Sequence, residues 1–199
     1  MHDDAVLQGL TSRQVNALSS DQVQALSDAQ IALIVPKLTQ MEDLSLDQLG
    51  ALDFASLAGS QVSALTDAQV QHLSTAQLTT DLDTPAESVL VNLGSRVATL
   101  TDAQVSALGT SHINDLTQAQ VGDLTTSQLR SLSGAQLNAL DDVKLQDVDI
   151  TLLQNSQVAA LDVTKISDTQ VGDLTAAQIR SLSNSQLGNL SDAQLAAIS

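Results

Sequence analysis

Aliphatic residues recur with a period of eight along most of this chain. Leu, Val or Ile holds the recurring position in four runs, which extend over residues 10–34, 57–73, 100–148 and 166–198. Within each eight-residue unit, here called an octad, a Ser or Thr follows the Leu, and a Gln and a second aliphatic residue come three and four positions later. Leu100-Thr-Asp-Ala-Gln-Val-Ser-Ala is a clear copy. The chain is therefore an array of short, nearly identical units.

Each octad carries the signals of a helix N-terminus. Thr101 and Gln104 have the spacing of a capping box, in which the hydroxyl accepts from the N3 amide and the Gln side chain accepts from the cap amide. Asp102, at the first helical position, favours the positive end of the helix dipole. The same spacing occurs in other octads, for example at Ser133 with Gln136 and at Ser191 with Gln194. A new helix is thus predicted to begin in each octad.

Helical arithmetic excludes one continuous helix, because eight residues at 3.6 per turn would rotate the leucines by about 80° per octad. Strands are disfavoured because alternation is absent and Ala and Gln are poor strand formers. We therefore predict an all-α solenoid of very short helices, one per octad. The aliphatic residue after Gln and the Leu three positions later, such as Val105 and Leu108, should share the face that points to the axis. One octad is too small to fold alone, so stacking must stabilise it.

The period slips at several places. Five-residue steps replace an octad over 52–57, 148–153 and 161–166, and Pro36 and Pro85 fall in irregular stretches. We expect these to be bends within one solenoid over 1–199, since no linker rich in Gly and Pro occurs. Domain boundaries at the slips are the alternative. The array stops two positions into an octad, at Ile198-Ser199, so the chain is expected to be a fragment of a longer array.

Composition excludes several classes of partner. The net charge is −16, from 23 acidic against 7 basic residues, so the chain lacks the basic footprint that nucleic acid or anionic lipid requires. It has no cysteine, and no run approaches the roughly 20 apolar residues of a membrane span. Phe54 is the only aromatic residue, which indicates a thin aliphatic core. We expect neither nucleic-acid binding nor membrane insertion.

No catalytic cluster can be named. The histidines are His2, His72 and His112, and His112 stands where sister octads have Gln, so we expect a capping role for it. No nucleophile, base and orienting group share a recognisable motif. The chain is therefore predicted to be no enzyme, with no catalytic, cofactor-binding or metal-binding residues, no cofactor and no small-molecule substrate.

Paired acids are the remaining candidates for a site. Ca²⁺ needs six to eight oxygens in a pre-bent loop, and these pairs lack the Gly and terminal Glu of a helix–loop–helix calcium site. We expect helix caps and solvated faces, with calcium binding as the alternative. The pairs are Asp81 with Asp83, Asp141 with Asp142, and Asp147 with Asp149.

The text Leu-(Ser/Thr)-Asp-Ala-Gln-Val-x-Ala-Leu resembles the octapeptide-repeat regions of large bacterial surface or secreted adhesin-like proteins. The resemblance covers nearly the whole chain and implies an extracellular or cell-surface stalk or spacer, although a cytoplasmic location stays open. The glycine-aspartate nonapeptides of calcium-binding toxins are absent.

Two functions follow from these observations. The first is a non-enzymatic structural or spacer segment of such a surface protein. The alternative is a protein- or peptide-binding helical-repeat scaffold, in which non-repeat residues such as Arg130 and Arg180 would lie at equivalent positions of one face. Its partners would be other proteins, or further copies of the same chain.

Overall fold

The structure, a computed structural model, describes residues 4–82 and 88–198, and in that part of the chain it is helical without strands apart from an isolated bridge between Asp81 and Ser88. The first α-helices are α1 (Asp4–Gly9), α2 (Ser12–Val15), α3 (Ser20–Gln24), α4 (Asp28–Ile34), α5 (Leu46–Gly50), α6 (Gly59–Ser63), α7 (Asp67–His72), α8 (Thr75–Leu78) and α9 (Val89–Asn92). The others are α10 (Asp102–Ala107), α11 (Thr110–Asp115), α12 (Gln118–Gly122), α13 (Thr126–Ser131), α14 (Gly134–Ala139), α15 (Asp142–Gln146), α16 (Asn155–Val158), α17 (Asp168–Asp173), α18 (Ala176–Ser181), α19 (Asn184–Asn189) and α20 (Asp192–Ala197). The 3-10 helices are Val35–Lys37, Met41–Asp43, Phe54–Ser56, Gly94–Thr99 and Ile150–Leu152.

The predicted helix starts are confirmed. Helix α10 begins at Asp102, directly after the cap residue Thr101. The Thr101 N–H donates to Gln104 Oε1 over 2.9 Å, and the Gln104 N–H donates to Thr101 Oγ1 over 3.1 Å. Ser133 with Gln136 and Ser191 with Gln194 form the same box. Each octad that carries the motif therefore starts a helix of about one turn and then redirects the chain.

The short helices stack on one another at intervals of three. Helix α4 packs on α1, α13 on α10, α14 on α11, and α20 on α17. We call three consecutive short elements a coil, since the fourth lies over the first. This arrangement confirms the prediction of an all-α solenoid of very short helices.

The chain divides into two compact units, Met1–Leu100 and Thr101–Ser199. Stacked coils of short helices occur in each unit. That residues 1–199 form one solenoid stays a prediction.

The core of each unit is aliphatic and lies inside the coils. Val105 and Leu108 are both buried, as their shared face predicted, and so are the corresponding residues of most octads. Phe54 and Met41 fill the core where the octad pattern is interrupted. A thin core suffices because each octad contributes about two buried aliphatic side chains.

The irregular steps are tight turns. Two five-residue steps form the 3-10 helices Phe54–Ser56 and Ile150–Leu152, and residues 161–166 form turns. Pro36 lies in the first turn of Val35–Lys37, where a missing N–H is tolerated. Gly94 opens Gly94–Thr99 with a φ of 55°, a left-handed conformation that favours glycine. Pro85 lies outside the described residues.

Candidate functional site

The most regular polar feature of the structure is a glutamine that connects two coils. Gln178 is buried, and its Oε1 accepts from the Thr175 N–H over 2.9 Å. Its Nε2 donates to the carbonyl oxygens of Ile150 at 2.7 Å and Leu153 at 3.0 Å, in the preceding coil. One side chain thus caps its own helix and binds the end of an element 28 and 25 residues earlier.

The same double contact recurs through both units. In each case Nε2 donates to two carbonyls at the end of an earlier element, where carbonyls lack the N–H groups of a following helical turn. We call these residues the bridging glutamines: Gln48, Gln61, Gln69, Gln136, Gln157, Gln170, Gln178, Gln186 and Gln194. The sequence predicted the capping half of their role and gave no sign of the other half.

The glutamine half of the capping box persists where the hydroxyl half is missing. Ala58 has no side-chain acceptor, yet its N–H donates to Gln61 Oε1 over 2.9 Å. Gln61 Nε2 donates to Val35 O at 2.6 Å and Leu38 O at 2.8 Å. The contact between coils therefore does not depend on a Ser or Thr cap.

Basic residues take over the same task at several irregular positions. Lys37 Nζ donates to the carbonyls of Gln8 and Leu10, both at 2.8 Å. The Arg96 guanidinium donates to the carbonyls of Val62 and Leu65, with Nη2 at 2.8 Å from Val62 O. A cation at the carbonyl end of a helix is also favoured by the local dipole.

Two further coils divide the glutamine's work between an Asn and a Lys. Lys144 occupies the Gln position of α15, and its Nζ donates to Asn114 O over 2.5 Å. Asn114 Oδ1 in turn accepts from the Asp141 N–H over 3.1 Å, which is the cap amide of α15. Asn138, Asp162 and Lys165 repeat the arrangement. In residues 141–144, Lys144 stands at the position that Gln holds in other octads. This difference is the feature of the sequence that indicates the exchange of Gln for Lys and Asn.

The two acidic pairs that the structure describes in full lie at helix ends. Asp141 caps α15, and Asp149 caps Ile150–Leu152 by accepting from the Thr151 N–H at 3.0 Å. The Lys144 N–H and then its ammonium, whose Nζ is 3.0 Å from Asp141 Oδ2, hold the pKa of Asp141 below its ordinary 3.8. Likewise, the hydroxyl and N–H of Thr164 lower the pKa of Asp162. Asp83 is outside the described residues, so the pair with Asp81 is not described.

One open groove contains the third pair. Its volume is about 650 Å³, and Asp147, Asp149 and Asp173 are among the residues that line it. Even so, no group of three or more His, Cys, Asp or Glu within residues 4–82 and 88–198 is placed to hold a metal ion. Calcium binding therefore stays an untested alternative without a ligand set in the described residues.

Neither described histidine is arranged for catalysis. His72 is exposed in the last turn of α7, and His2 lies outside the described residues. His112 is at the third position of α11, whose cap residue is Gly109. The capping bond predicted for His112 is not formed, since its buried Nδ1 has no hydrogen-bond partner in the part of the chain that the structure describes. An imidazole is shorter than a Gln side chain and does not reproduce its two contacts.

Arg130 and Arg180 lie at equivalent positions of α13 and α18, and both are exposed. Their hydrogen bonding differs. Arg130 Nε donates to Leu152 O at 2.8 Å, beside an open groove of about 550 Å³. In the described part of the chain, Arg180 makes no comparable contact with a carbonyl. The two arginines therefore do not form one repeated binding motif.

Among the described residues, none of the helices has the length and apolar character needed to cross a membrane. No family model, no curated protein and no solved structure matches this chain.

Proposed function

We propose that the chain is a non-enzymatic spacer segment of a repeat protein of the bacterial cell surface or of a secreted adhesin-like protein. The observation that carries the proposal is the double contact of the bridging glutamines. In most octads the repeated glutamine binds carbonyls of the preceding coil, so repetition serves to join each coil to the next. A ligand-binding repeat would instead aim its repeated polar groups outward.

The charge of the chain supports the same function. Most of its 23 acidic residues are on exposed positions, and a net charge of −16 keeps a long repetitive surface in solution and apart from its neighbours. The alternative of a binding scaffold has less support, since Arg130 and Arg180 differ in their contacts.

A spacer has to remain folded when its length changes, and this can be tested directly. Residues 117–140 contain α12, α13 and α14, which is one coil of three regular octads. One or two extra copies of this block, inserted after Leu140, should each lengthen the particle by the same increment in small-angle X-ray scattering. The helical circular dichroism per residue should stay constant, and millimolar Ca²⁺ should change neither result.

The matched control is the same insertion with Gln120, Gln128 and Gln136 changed to Ala. This block keeps the aliphatic pattern and loses the glutamine contacts, so it should add length without proportionate helicity. The spacer proposal would be abandoned if the intact block failed to lengthen the particle, or if Ca²⁺ shortened it.

A further inference from the structure

An open groove crosses three elements that lie on one another in the unit Thr101–Ser199. Helix α13 packs on α10, and Gln157 of α16 donates to the carbonyls at the end of α13. The groove runs across these elements and has a volume of about 550 Å³, which is within the size range of small-molecule sites. Its lining residues are all polar or charged: Asp102, Thr126, Ser127, Arg130, Ser131 and Gln154.

The Arg130 side chain is held at one edge and open at the other. Its Nε donates to Leu152 O over 2.8 Å, which restrains the plane of the guanidinium. Its two Nη nitrogens have no acceptor in residues 4–82 and 88–198. Two N–H groups on a restrained plane match the two oxygens of a carboxylate. This wall of the groove therefore favours a ligand that carries a carboxylate.

Asp102, which also lines the groove, requires donors from a ligand. Its Oδ2 accepts from Ser127 Oγ, and its Oδ1 has no donor in the described part of the chain. Asp102 and Arg130 form no ion pair with each other, so neither neutralises the other by direct contact. A carboxylate with an open oxygen accepts hydrogen bonds from ligand hydroxyls. The ligand should therefore carry hydroxyls as well as a carboxylate.

The other lining residues offer further hydrogen-bonding groups. The Thr126 hydroxyl and Gln154 Nε2 have no hydrogen-bond partner among the residues that the structure describes. The only aromatic residue of the chain, Phe54, is buried in the other unit, so the groove has no ring for stacking. One carboxylate together with several hydroxyls is the chemistry of a hexuronate, the oxidised form of a six-carbon sugar.

The net charge of the chain does not prevent binding of a ligand with one carboxylate. The groove contains one acidic and one basic side chain, so its local charge is balanced. Charges elsewhere on the surface are screened beyond about 8 Å at physiological ionic strength. A ligand with many carboxylates would be repelled more strongly, because the whole chain carries −16. The charge therefore favours a single uronate over a polyanion.

The near-copy at residues 171–183 lacks two of the groove's hydroxyls. It differs from residues 121–133 at three positions, and at two of them alanines correspond to Thr126 and Ser127. Arg180 holds the position of the groove arginine and is also exposed. The chain thus contains a second arginine at the same helix position without the same surroundings, which serves as an internal control.

We propose that this groove binds a hexuronate, with the sugar carboxylate on the Nη edge of Arg130 and ring hydroxyls on Asp102. The inference goes beyond the spacer proposal and stands without it. The dissociation constant should be on the order of 1 mM, because one charge-assisted pair and a few hydrogen bonds form in an open groove.

Titration of the full chain with sodium galacturonate, followed by nuclear magnetic resonance, tests the inference. The amide signals of residues 126–131 and the Arg130 Nε–H signal should shift and saturate. Acetate carries the carboxylate alone, and galactose carries the hydroxyls alone. Each of them should bind at least about tenfold more weakly than galacturonate, since one half of the recognition is lost.

Substitutions assign the binding to the groove. Arg130→Gln should raise the dissociation constant at least about tenfold, because the paired N–H donors are lost. Arg180→Gln is the matched control and should leave it unchanged. Thr126→Ala with Ser127→Ala introduces the side chains that the near-copy already has, so the fold should tolerate it. This variant should bind about threefold more weakly or worse, because Asp102 loses the hydrogen bond that orients it.

Three results would overturn the inference. Galacturonate could cause no saturating shifts, acetate could bind as tightly as galacturonate, or Arg180→Gln could weaken binding as much as Arg130→Gln. The second result would mean an adventitious anion contact only. If Arg130→Gln disturbed signals throughout the unliganded protein, unchanged binding by the Thr126 and Ser127 variant would overturn the inference instead. None of these results depends on whether inserted octads lengthen the particle, so this inference and the spacer proposal can fail separately.

Discussion

Gln157 Nε2 lies 2.7 Å from the carbonyl oxygen of Leu132, which is 25 residues earlier in the chain. The Oε1 of the same amide accepts from the Gln154 N–H over 2.9 Å. A primary amide has an acceptor and two donors on one rigid plane, so it can satisfy a helix start and a helix end together. Helix initiation and coil stacking are therefore coupled through one side chain.

This coupling predicts a large effect of Gln48→Glu. Gln48 Nε2 donates to Val23 O and Leu26 O, both at 3.0 Å, and glutamate keeps the capping oxygen but loses the donors. The free energy of unfolding should fall by about 2–4 kcal/mol, because buried carbonyls lose a partner and a carboxylate is buried beside them. Urea denaturation followed by circular dichroism measures the change.

Gln14→Glu is the matched control for that experiment, since Gln14 caps α2 in the same way and its Nε2 has no acceptor among residues 4–82 and 88–198. Its unfolding free energy should stay within about 0.5 kcal/mol of the wild type, as for other surface substitutions. If Gln48→Glu and Gln14→Glu lowered the free energy of unfolding equally, helix capping alone would account for the loss, without the contact between coils.

Leu137 and Leu187 give a second pair at one octad position. Leu137 is fully buried, so Leu137→Ala should lower the free energy of unfolding by about 2–5 kcal/mol through lost burial and a new cavity. Leu187 is 37% exposed, and Leu187→Ala should lower the free energy of unfolding by only roughly 1–2 kcal/mol. Thermal and urea unfolding of both variants measure the two losses. A larger loss for Leu187→Ala than for Leu137→Ala would contradict the order in which the coils stack.

A close approach at Gly134 predicts a steric effect. A Cβ at this position would lie 2.5 Å from the Cβ of Ala160, so Gly134→Ala should destabilise the protein by about 1–3 kcal/mol. Adding Ala160→Gly removes the opposing atom and should restore most of the loss in urea denaturation.

Gly122 provides the control for the steric argument, because a Cβ there meets nothing within 4 Å. Gly122→Ala should raise stability by about 0.4–1 kcal/mol through the lower entropy of the unfolded chain. A loss at Gly122 similar to that at Gly134 would rule out the contact with Ala160 as the cause.

The lowered pKa of Asp141 predicts that this residue contributes to the loss of the protein's stability in acid. Because the Lys144 N–H and ammonium lower its pKa in the folded state, the carboxylate adds stability above its unfolded value of 3.8. That stability is lost as the pH falls through the lower folded value. Asp141→Asn should therefore be less stable than the wild type at neutral pH, and the difference should shrink well below pH 3.8. Urea midpoints at several pH values measure it.

The neighbouring substitution Asp142→Asn is the comparison, since Asp142 is exposed and its carboxylate accepts no hydrogen bond within the described residues. At neutral pH, Asp142→Asn should lower the free energy of unfolding less than Asp141→Asn does, because no cap contact is lost. Parallel behaviour of the two variants would assign the pH dependence to net charge rather than to the contact with Lys144.

Local structure was predictable from the sequence because its signals are local. The box of Thr101 and Gln104 and the shared face of Val105 and Leu108 both depend on residues within one turn, and both are confirmed. The carbonyls that the bridging glutamines bind could not be derived in the same way. Which carbonyl meets Gln178 depends on how many residues a coil contains, and the five-residue steps change that number. The exchange of Gln for Lys144 and Asn114 depends on the same long-range register.

The bridging glutamines bind main-chain carbonyls, which every residue type possesses. The coil that receives such a contact can change its side chains without losing it, and the coil that provides it needs only one amide. A newly copied segment is therefore compatible with its neighbours at once, without matched changes on the other side. The near-identity of residues 121–133 and 171–183 is the outcome expected when copies of a gene segment are tolerated in this way. The array can gain or lose coils by recombination while its fold persists.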